Sequence, residues 1–396
     1  MSQPASDARL AHIQRLQFTD LAAAEALLAD FVGETFPELA VTRVELRPLA
    51  VSLNSFNGFL HLADGGRLFF KTHVEPNSII AEYYNSHLLR EAGYPVIQPR
   101  FASTEYGKQF LIYDVIGTPS VFDLARAIER GERDALPALR AAQNAADDQL
   151  LIIYRETLAQ QSAEDAARAP VHQLFHHRLV GGRYDHFYRE RPFVLPQSTL
   201  AWEDLLRRRW IINGKHYPQP LGQRIEQAKT LLAPMQAGLS VVGHGDAHNG
   251  NVFYTPPSLT YFDPAFGGRH HPILDIAKPL FHNVRATWMY HPHEVAESLH
   301  IQYQDDGSTL IVEHTYALSE VRHMFEQSKT QRVLWPLLSE LARRGEPESL
   351  NRARLAAALL CCPLLTMNLA DREKFPPQIG LLGLCLCLEV GAHADA

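Results

Sequence analysis

A run of glycine, histidine, asparagine and aspartate residues is followed directly by two short apolar segments. The run occupies 243–251 and reads GHGDAHNGN, and the apolar segments lie on either side of a Pro-Pro pair. The resulting order is loop, strand, turn, strand. Because a hairpin brings its two ends together, the pattern predicts that Asp246, Asn251 and Asp263 converge on one centre.

These three side chains suit a magnesium-nucleotide site. Magnesium prefers hard oxygen ligands and keeps several waters, so one carboxylate, one amide oxygen and the phosphates of ATP suffice to bind it. Asn251 and Asp263 are the predicted metal ligands. Asp246 is the predicted catalytic base, which would orient an attacking hydroxyl and accept its proton. The alternative is a polar surface loop whose residues serve only turns.

The motif and the Phe-Asp pair downstream resemble the catalytic loop and metal-binding aspartate of the aminoglycoside phosphotransferase and choline kinase group. That group belongs to the protein-kinase-like superfamily. The fixed positions of its pattern HGDxHxxN match His244, Gly245, Asp246, His248 and Asn251. We expect both histidines to fix the loop by packing and hydrogen bonds. Asp275, in a segment similar to the family's D-L-A step, is expected to brace the loop, or to act as a helix N-terminal acid.

The resemblance implies an α+β, protein-kinase-like fold with two lobes, and the length of 396 residues also favours two. Residues 1–117 are predicted to form a nucleotide-binding lobe with an N-terminal helix, a small antiparallel sheet and one main helix. Residues 118–396 are predicted to form a large, mostly helical lobe with the catalytic loop and the acceptor site. Helical periodicity covers 312–390 throughout.

The nucleotide-binding residues are predicted in the first lobe. A kinase-type site needs a lysine on a strand, held by a glutamate on the following helix. Lys71 and Glu82 occupy those positions, with Glu75 and Glu91 as weaker alternatives, although an exposed lysine and a solvated glutamate would look the same. The main helix is predicted at 79–92, with Asn77 as its cap.

Two further nucleotide contacts follow from the resemblance. The phosphate-covering loop is predicted at 52–58, where Ser55 could donate to phosphate and Gly58 is the one glycine; an ordinary hairpin loop is the alternative. The hinge that contacts adenine through the backbone is predicted at Asp114 and Val115, where a plain linker is the alternative.

The acceptor site is predicted within 172–191, which is rich in cationic and aromatic side chains. Arg178, Arg183 and His186 could bind a polar or anionic substrate, and a solvated helix face is the alternative. His172 is spaced like a helical metal ligand, but no cysteine or paired His-Glu pattern completes a zinc site.

The resemblance implies an ATP- and magnesium-dependent kinase of a small-molecule hydroxyl group, on a sugar, an amino alcohol or an aminoglycoside-like compound. A protein kinase is disfavoured because the loop lacks the Arg and Lys of that class and no APE-like segment follows Asp263. Two alternatives remain on the same fold: a nucleotide-binding pseudokinase and a nucleotidyl-transferring enzyme.

The composition indicates which classes of partner and which cellular compartment to expect. The net charge of −7 provides no basic surface for nucleic acid, and no polybasic run indicates an anionic membrane. The four cysteines lie as adjacent or near-adjacent pairs in helical stretches, which favours a reducing compartment over a disulfide framework. The N-terminal MSQPASDARL lacks the features of a secretory signal, so a cytoplasmic location is expected.

Overall fold

The structure is a computed structural model that describes residues 5–48, 55–73, 76–105 and 107–392. The chain divides into two compact units. The first unit comprises Met1–Pro119 together with Thr260–Ala265, and the second comprises Ser120–Leu259 and Phe266–Ala396. A short segment from late in the chain therefore belongs to the first unit.

An antiparallel sheet with the strand order β1-β2-β3-β5-β4 forms the framework of the first unit. Its strands are β1 (Val41–Leu46), β2 (Ser55–Leu62), β3 (Arg67–His73), β4 (Phe101–Ser103) and β5 (Phe110–Asp114). Strand β2 pairs with β3, and Asn57 lies opposite Lys71. On its other edge β3 pairs with β5, where Lys71 lies opposite Leu111.

The helices of the first unit are α1 (Ala5–Leu16), α2 (Leu21–Thr35) and α3 (Pro76–Glu91). Helix α3 is the predicted main helix, but it begins at Pro76, so Asn77 lies inside its first turn and is not its cap. Pro is well suited to a first helical position because its φ is preset and its missing N–H has no partner there. Gly93, at φ +98°, lies just past the end of the helix, as its freedom at positive φ allows.

The two faces of this sheet carry different chemistry because strand side chains alternate. Phe70 points to one face, where its ring stacks on Phe110 at 5.0 Å between centroids, and Phe31 of α2 packs against Phe110. Phe69 points to the opposite face and packs against Tyr113. Lys71 shares that second face.

Gly58 has a different role from the one predicted. Residues 52–54 of the predicted phosphate-covering loop lie outside the described residues, whereas Ser55 and Gly58 belong to strand β2. A Cβ at position 58 would lie 2.0 Å from the Glu45 carbonyl oxygen and 2.9 Å from the Phe70 ring. Glycine is therefore required here for close strand packing.

The second unit is mostly helical. Its helices are α4 (Val121–Glu129), α5 (Leu136–Thr157), α6 (Ala163–Ala167), α7 (His176–Val180), α8 (Arg183–Tyr188), α9 (Trp202–Arg207), α10 (Leu221–Leu231), α11 (Pro272–His282), α12 (Thr287–Tyr290), α13 (Pro292–Ser298), α14 (Glu320–Lys329), α15 (Trp335–Arg343), α16 (Glu348–Thr366) and α17 (Pro377–Ala392). A π-helical turn, Thr330–Leu334, joins α14 to α15.

Short strands accompany these helices: β6 (Ala159–Gln161), β7 (Pro192–Val194), β8 (Thr199–Ala201), β9 (Arg209–Ile212), β10 (Lys215–Tyr217), β11 (Gly238–Gly243), β12 (Val252–Thr255), β13 (Ser258–Tyr261), β14 (Gly268–His270), β15 (Ile301–Asp305) and β16 (Thr309–His314). They form sheets of order β14-β11-β6 and β10-β9-β16-β15, and the hairpins β12-β13 and β7-β8. The predicted strand, turn and strand after the Gly/His/Asn-rich loop are confirmed as β12 and β13.

The prediction of helix throughout 312–390 is wrong at its start. Val312 lies in β16, whose side chains alternate in burial and which pairs in parallel with β9 about a hundred residues earlier in the chain. The region 172–191 is also not one helix face. It consists of short helical turns separated at Gly181 and Gly182, the latter at φ +94°.

The four cysteines are buried and unbridged, as expected from their positions in helices α16 and α17. Burial raises the pKa of each thiol, in the case of Cys362 to about 12. Across the described ranges, the structure contains no helix long and apolar enough to span a bilayer.

Gly58→Ala is expected to destabilise the protein by about 1–3 kcal/mol, because its Cβ cannot be placed without moving the β1 backbone. Gly33→Ala, in helix α2 of the same unit, is the matched control. A Cβ at position 33 meets nothing within 4 Å, so this change is expected to stabilise by about 0.5–1 kcal/mol. Urea unfolding of both variants measures the change in the free energy of unfolding. Equal changes would contradict the requirement for glycine at position 58.

Candidate active site

Lys71, Glu82 and Asp263 form an ionic cluster in the first unit. The Lys71 Nζ lies 2.8 Å from Glu82 Oε2 and 2.7 Å from Asp263 Oδ1. The Glu82 side chain is fully buried, and the Tyr113 hydroxyl donates a hydrogen bond of 3.1 Å to its Oε1. The strand alternation that turns Lys71 away from the phenylalanine core therefore turns it toward α3.

The two carboxylates fix the charge of this lysine. Burial alone would lower the pKa of Lys71, but the charges of Asp263 and Glu82 outweigh burial and the net shift is upward. A raised pKa means that the favourable contribution is fully present below the ordinary lysine pKa and is lost only as the pH rises through the higher folded value. Lys71 is therefore a permanent cation across the physiological range.

The backbone at Asp263 is unusual. This residue has φ +57°, in the left-handed region that non-glycine residues rarely adopt. Such a conformation costs on the order of 1 kcal/mol or more and persists where surrounding contacts impose it. Here the Lys71 ion pair holds the side chain, and the Asn85 side chain donates a hydrogen bond of 3.1 Å to the next carbonyl, at Pro264.

In the second unit, the loop between β11 and β12 carries Asp246 and is shaped by two glycines. Gly245 has φ +80°, and a Cβ there would lie 2.2 Å from the Phe266 carbonyl oxygen. A Cβ at Gly243 would lie 2.6 Å from the carboxyl carbon of Asp275. Both positions therefore need glycine for space, and Gly245 also for its backbone conformation.

Asp275 of α11 holds this loop in place through hydrogen bonds. Its Oδ1 accepts a hydrogen bond of 2.5 Å from the Gly245 amide and one of 3.0 Å from His270 Nε2, and its Oδ2 accepts from the Tyr154 hydroxyl. Burial alone would raise the pKa of Asp275, but these donors, His270 foremost, lower it. The carboxylate thus remains ionised while it anchors the loop.

Asp246 lies among basic groups. Its Oδ1 is 3.5 Å from Lys278 Nζ and its Oδ2 is 4.0 Å from His248 Nε2. Burial alone would raise the pKa of Asp246, but the charge of Lys278, followed by those of His248, Arg178 and His244, outweighs burial and lowers it. Asp246 is therefore an anion at neutral pH.

The remaining motif residues make contacts within the same loop. His244 is fully buried, and its Nδ1 accepts a hydrogen bond of 3.4 Å from the Asp246 amide. His248 Nδ1 accepts one of 3.1 Å from the Gly250 amide. Asn251 donates from Nδ2 to the Asp246 carbonyl at 3.0 Å, which leaves its amide oxygen as the atom available to a cation.

The other predicted residues are placed as follows. The backbone of Ser55 lies in β2, and its side chain is outside the described residues. Asp114, predicted with Val115 to contact adenine as the hinge, ends β5 opposite Leu68 of β3, and its side chain pairs with Arg100 at 2.9 Å. That role stays a prediction.

The predicted acceptor residues lie on α7 and α8 of the second unit. Arg178 is half-buried, whereas Arg183 and His186 are exposed. Arg183 donates a long hydrogen bond of 3.4 Å to the Leu365 carbonyl. The charge of Asp246 acts on Arg178, so these two residues share one electrostatic environment.

Lys278 and His270 belong to this site but were not predicted from the sequence. Lys278 lies three residues after Asp275 on α11, and this spacing puts both on the helix face that meets the loop. That spacing was a readable signal for Lys278. His270 gave no such signal, because its link to Asp275 depends on β14 pairing with β11.

The structure therefore groups the predicted site residues in two sets. Lys71, Glu82 and Asp263 are together in the first unit, and Asp246 and Asn251 are together in the second. The convergence of both sets on one metal-nucleotide centre stays a prediction.

The chain is similar in structure to several solved kinases of small molecules. An amicoumacin kinase in complex with AMP-PNP and Ca²⁺ is 14% identical, with 92% of this chain and 93% of that chain covered and a TM-score of 0.48. A Plasmodium vivax ethanolamine kinase is 10% identical, with 100% and 97% covered and a TM-score of 0.48. A microcompartment-associated aminopropanol kinase is 11% identical, with 93% and 96% covered and a TM-score of 0.44.

No protein-family profile matches the sequence. No curated protein matches it either.

Both predicted metal ligands carry oxygen donors. Asn251 offers an amide oxygen and Asp263 a carboxylate, and both are hard ligands of the kind that Mg²⁺ prefers. Within the described ranges, no three histidine, cysteine or acidic side chains cluster as a metal site. A site that relies on one carboxylate, one amide and the phosphates does not need such a cluster.

Lys71→Met is expected to destabilise the protein by about 3–5 kcal/mol, because it leaves the fully buried Glu82 carboxylate without its cation. The matched control is Lys108→Met in the same unit, whose partially exposed ion pair with Glu105 contributes about 0–1 kcal/mol. Urea unfolding compares the two variants. Equal, small losses would show that the Lys71 cluster is not a buried ion pair in solution.

Proposed function

We propose that the protein is an ATP- and magnesium-dependent phosphotransferase that moves the γ-phosphoryl group of ATP to a hydroxyl group of a small molecule. The observation that carries the proposal is the state of Asp246: a carboxylate kept ionised by Lys278, on a loop held by Asp275, within the motif HGDxHxxN. Phosphoryl transfer asks the protein mainly for positioning and electrostatic stabilisation, and this arrangement provides both.

Asp246 acts on the acceptor. Its anionic carboxylate accepts a hydrogen bond from the acceptor hydroxyl and directs the oxygen at the γ-phosphorus. A new O–P bond forms from that oxygen, the bond between the γ-phosphorus and the β–γ bridging oxygen breaks, and ADP leaves with the electron pair. The hydroxyl proton passes to Asp246.

The first unit acts on the nucleotide. Lys71, kept protonated by Glu82 and Asp263, binds phosphate oxygens as a fixed cation. Asn251 and Asp263 are the residues that would hold Mg²⁺. The metal ion, when bound, neutralises charge on the phosphates.

Asp246→Asn is expected to lower kcat by about 10²–10⁴-fold while ATP binding is largely kept, because the amide keeps the shape of the side chain but cannot accept the proton. Initial rates with a panel of sugars, amino alcohols, nucleosides and aminoglycosides measure turnover, and calorimetry measures ATP binding. Mass spectrometry of the product separates phosphoryl from nucleotidyl transfer. Undiminished turnover in Asp246→Asn would remove the assigned base.

The same measurements apply to Asp263→Ala as a companion variant. It is expected to weaken magnesium-nucleotide binding by about tenfold or more, since it removes a charged oxygen ligand. Magnesium-nucleotide binding equal to wild type would exclude Asp263 as a metal ligand.

Lys278→Met is expected to move the acidic limb of the pH–rate profile toward higher pH. The charge of Lys278 is the largest influence that lowers the Asp246 pKa, and without it burial favours the protonated acid. Activity then disappears at a higher pH as the solution is acidified. Lys278→Arg, which keeps the charge, is the control. An unchanged acidic limb in Lys278→Met would show that the limb does not report Asp246.

A further inference from the structure

The arginine-bearing helices α7 and α8 are tied to the last turn of α16. Arg183 donates to the Leu365 carbonyl at 3.4 Å, and the Tyr188 hydroxyl donates to the Leu364 carbonyl at 2.7 Å. Tyr188 is buried and stacks on Trp202 with the ring centroids 4.3 Å apart, so this attachment is rigid.

The same turn of α16 also meets the surroundings of the predicted base. The Thr366 hydroxyl lies 3.4 Å from His282 Nε2, which lies 3.2 Å from Lys278 Nζ. Lys278 in turn lies 3.5 Å from Asp246. Helix α8 and the surroundings of Asp246 therefore contact the same end of α16.

Arg178 is half-buried and, over the part of the chain that the structure describes, its side chain forms no hydrogen bond or ion pair with another residue. Desolvation lowers the pKa of Arg178 to about 10, the neighbouring Arg183 adds to this effect, and the charge of Asp246 opposes it. A half-buried guanidinium whose donors bind no protein acceptor is available to bind an anionic group of a ligand.

The groups that act most strongly on Asp246 are Lys278, His248, Arg178 and His244, and all are basic. The carboxylate of Asp246 is in turn among the strongest electrostatic influences on Arg178. An amine-bearing acceptor would thus meet like charges at this end of the site, whereas an anionic one would meet complementary charge.

We propose that the acceptor is an alcohol that also carries an anionic group, a carboxylate or a phosphate, and that Arg178 binds this group while Asp246 orients the hydroxyl. This inference rests on the proposed function and specifies its substrate class. Arg183 contributes a second positive charge at the more exposed side. The planar guanidinium of Arg178 offers two parallel donors, which match the oxygens of either anion.

The test uses the full-length protein and acceptor pairs that differ in one anionic group: glycerate and glycerol, gluconate and glucose, serine and ethanolamine. Glycerol 3-phosphate and glucose 6-phosphate separate phosphate from carboxylate. Calorimetry measures binding of each compound, and ADP release measures turnover. At least one anionic compound is expected to bind about tenfold or more tightly than its uncharged or amine counterpart, as expected for charge-assisted hydrogen bonds.

Arg178→Gln is expected to remove that preference. Arg189→Gln is the matched control, because it removes the same charge from an exposed arginine of the same region that pairs with Asp185. Arg189→Gln is expected to keep the preference. If Arg178→Gln does not fold, Arg178→Lys retains the charge but loses the two-pronged geometry, and it is expected to weaken anion binding by a smaller factor.

The outcomes separate the two proposals. Binding of the anionic compounds with no turnover of any acceptor would sink the proposed function and leave the anion site standing. Turnover of neutral or amine acceptors alone would support the proposed function and exclude the anion site. The anion site is also overturned if no anionic compound binds, or if the preference survives in every folded Arg178 variant.

Discussion

A buried carboxylate, Asp275, accepts hydrogen bonds from the Gly245 amide in the loop, the Tyr154 hydroxyl on α5 and the His270 ring on β14. Burying an ionised carboxylate costs free energy, and these three hydrogen bonds offset that cost. Loss of any one donor would therefore destabilise the loop. The neighbouring glycine, Gly243, leaves no room for a side chain beside Asp275. The backbone that presents Asp246 is therefore set by packing inside the second unit, before any ligand is present.

In the first unit, strand alternation determines the position of the cation Lys71. Strand alternation gives one face of the sheet to the stacked rings of Phe70 and Phe110 and the other to Lys71. The apolar face fixes the register, since a slip by one residue would bury the lysine among the rings. The position of Lys71 opposite Glu82 is thus a consequence of the core behind it, and the left-handed backbone at Asp263 completes the cluster.

Structural features that have a local cause could be predicted from the sequence, whereas features that depend on a distant segment of the chain could not. The loop motif, Lys71 and Glu82 could be found because each follows from a short pattern or a strand or helix period. Gly58 was misassigned because its reason is the Glu45 carbonyl on a neighbouring strand. Strand β16 was taken as helix because its partner β9 lies about a hundred residues earlier. His270 was missed for the same reason.

The basic groups around Asp246 have two opposing effects on it as a catalytic base. By lowering the pKa of Asp246 they keep it ionised, but they also make it a weaker proton acceptor. His282 does not add to their charge, because burial and Lys278 hold its pKa well below the ordinary value and keep it neutral. A weak base is enough where the reaction asks for orientation more than for proton abstraction, as phosphoryl transfer does. In the proposed reaction, the cations that weaken Asp246 as a base would also favour anionic acceptors.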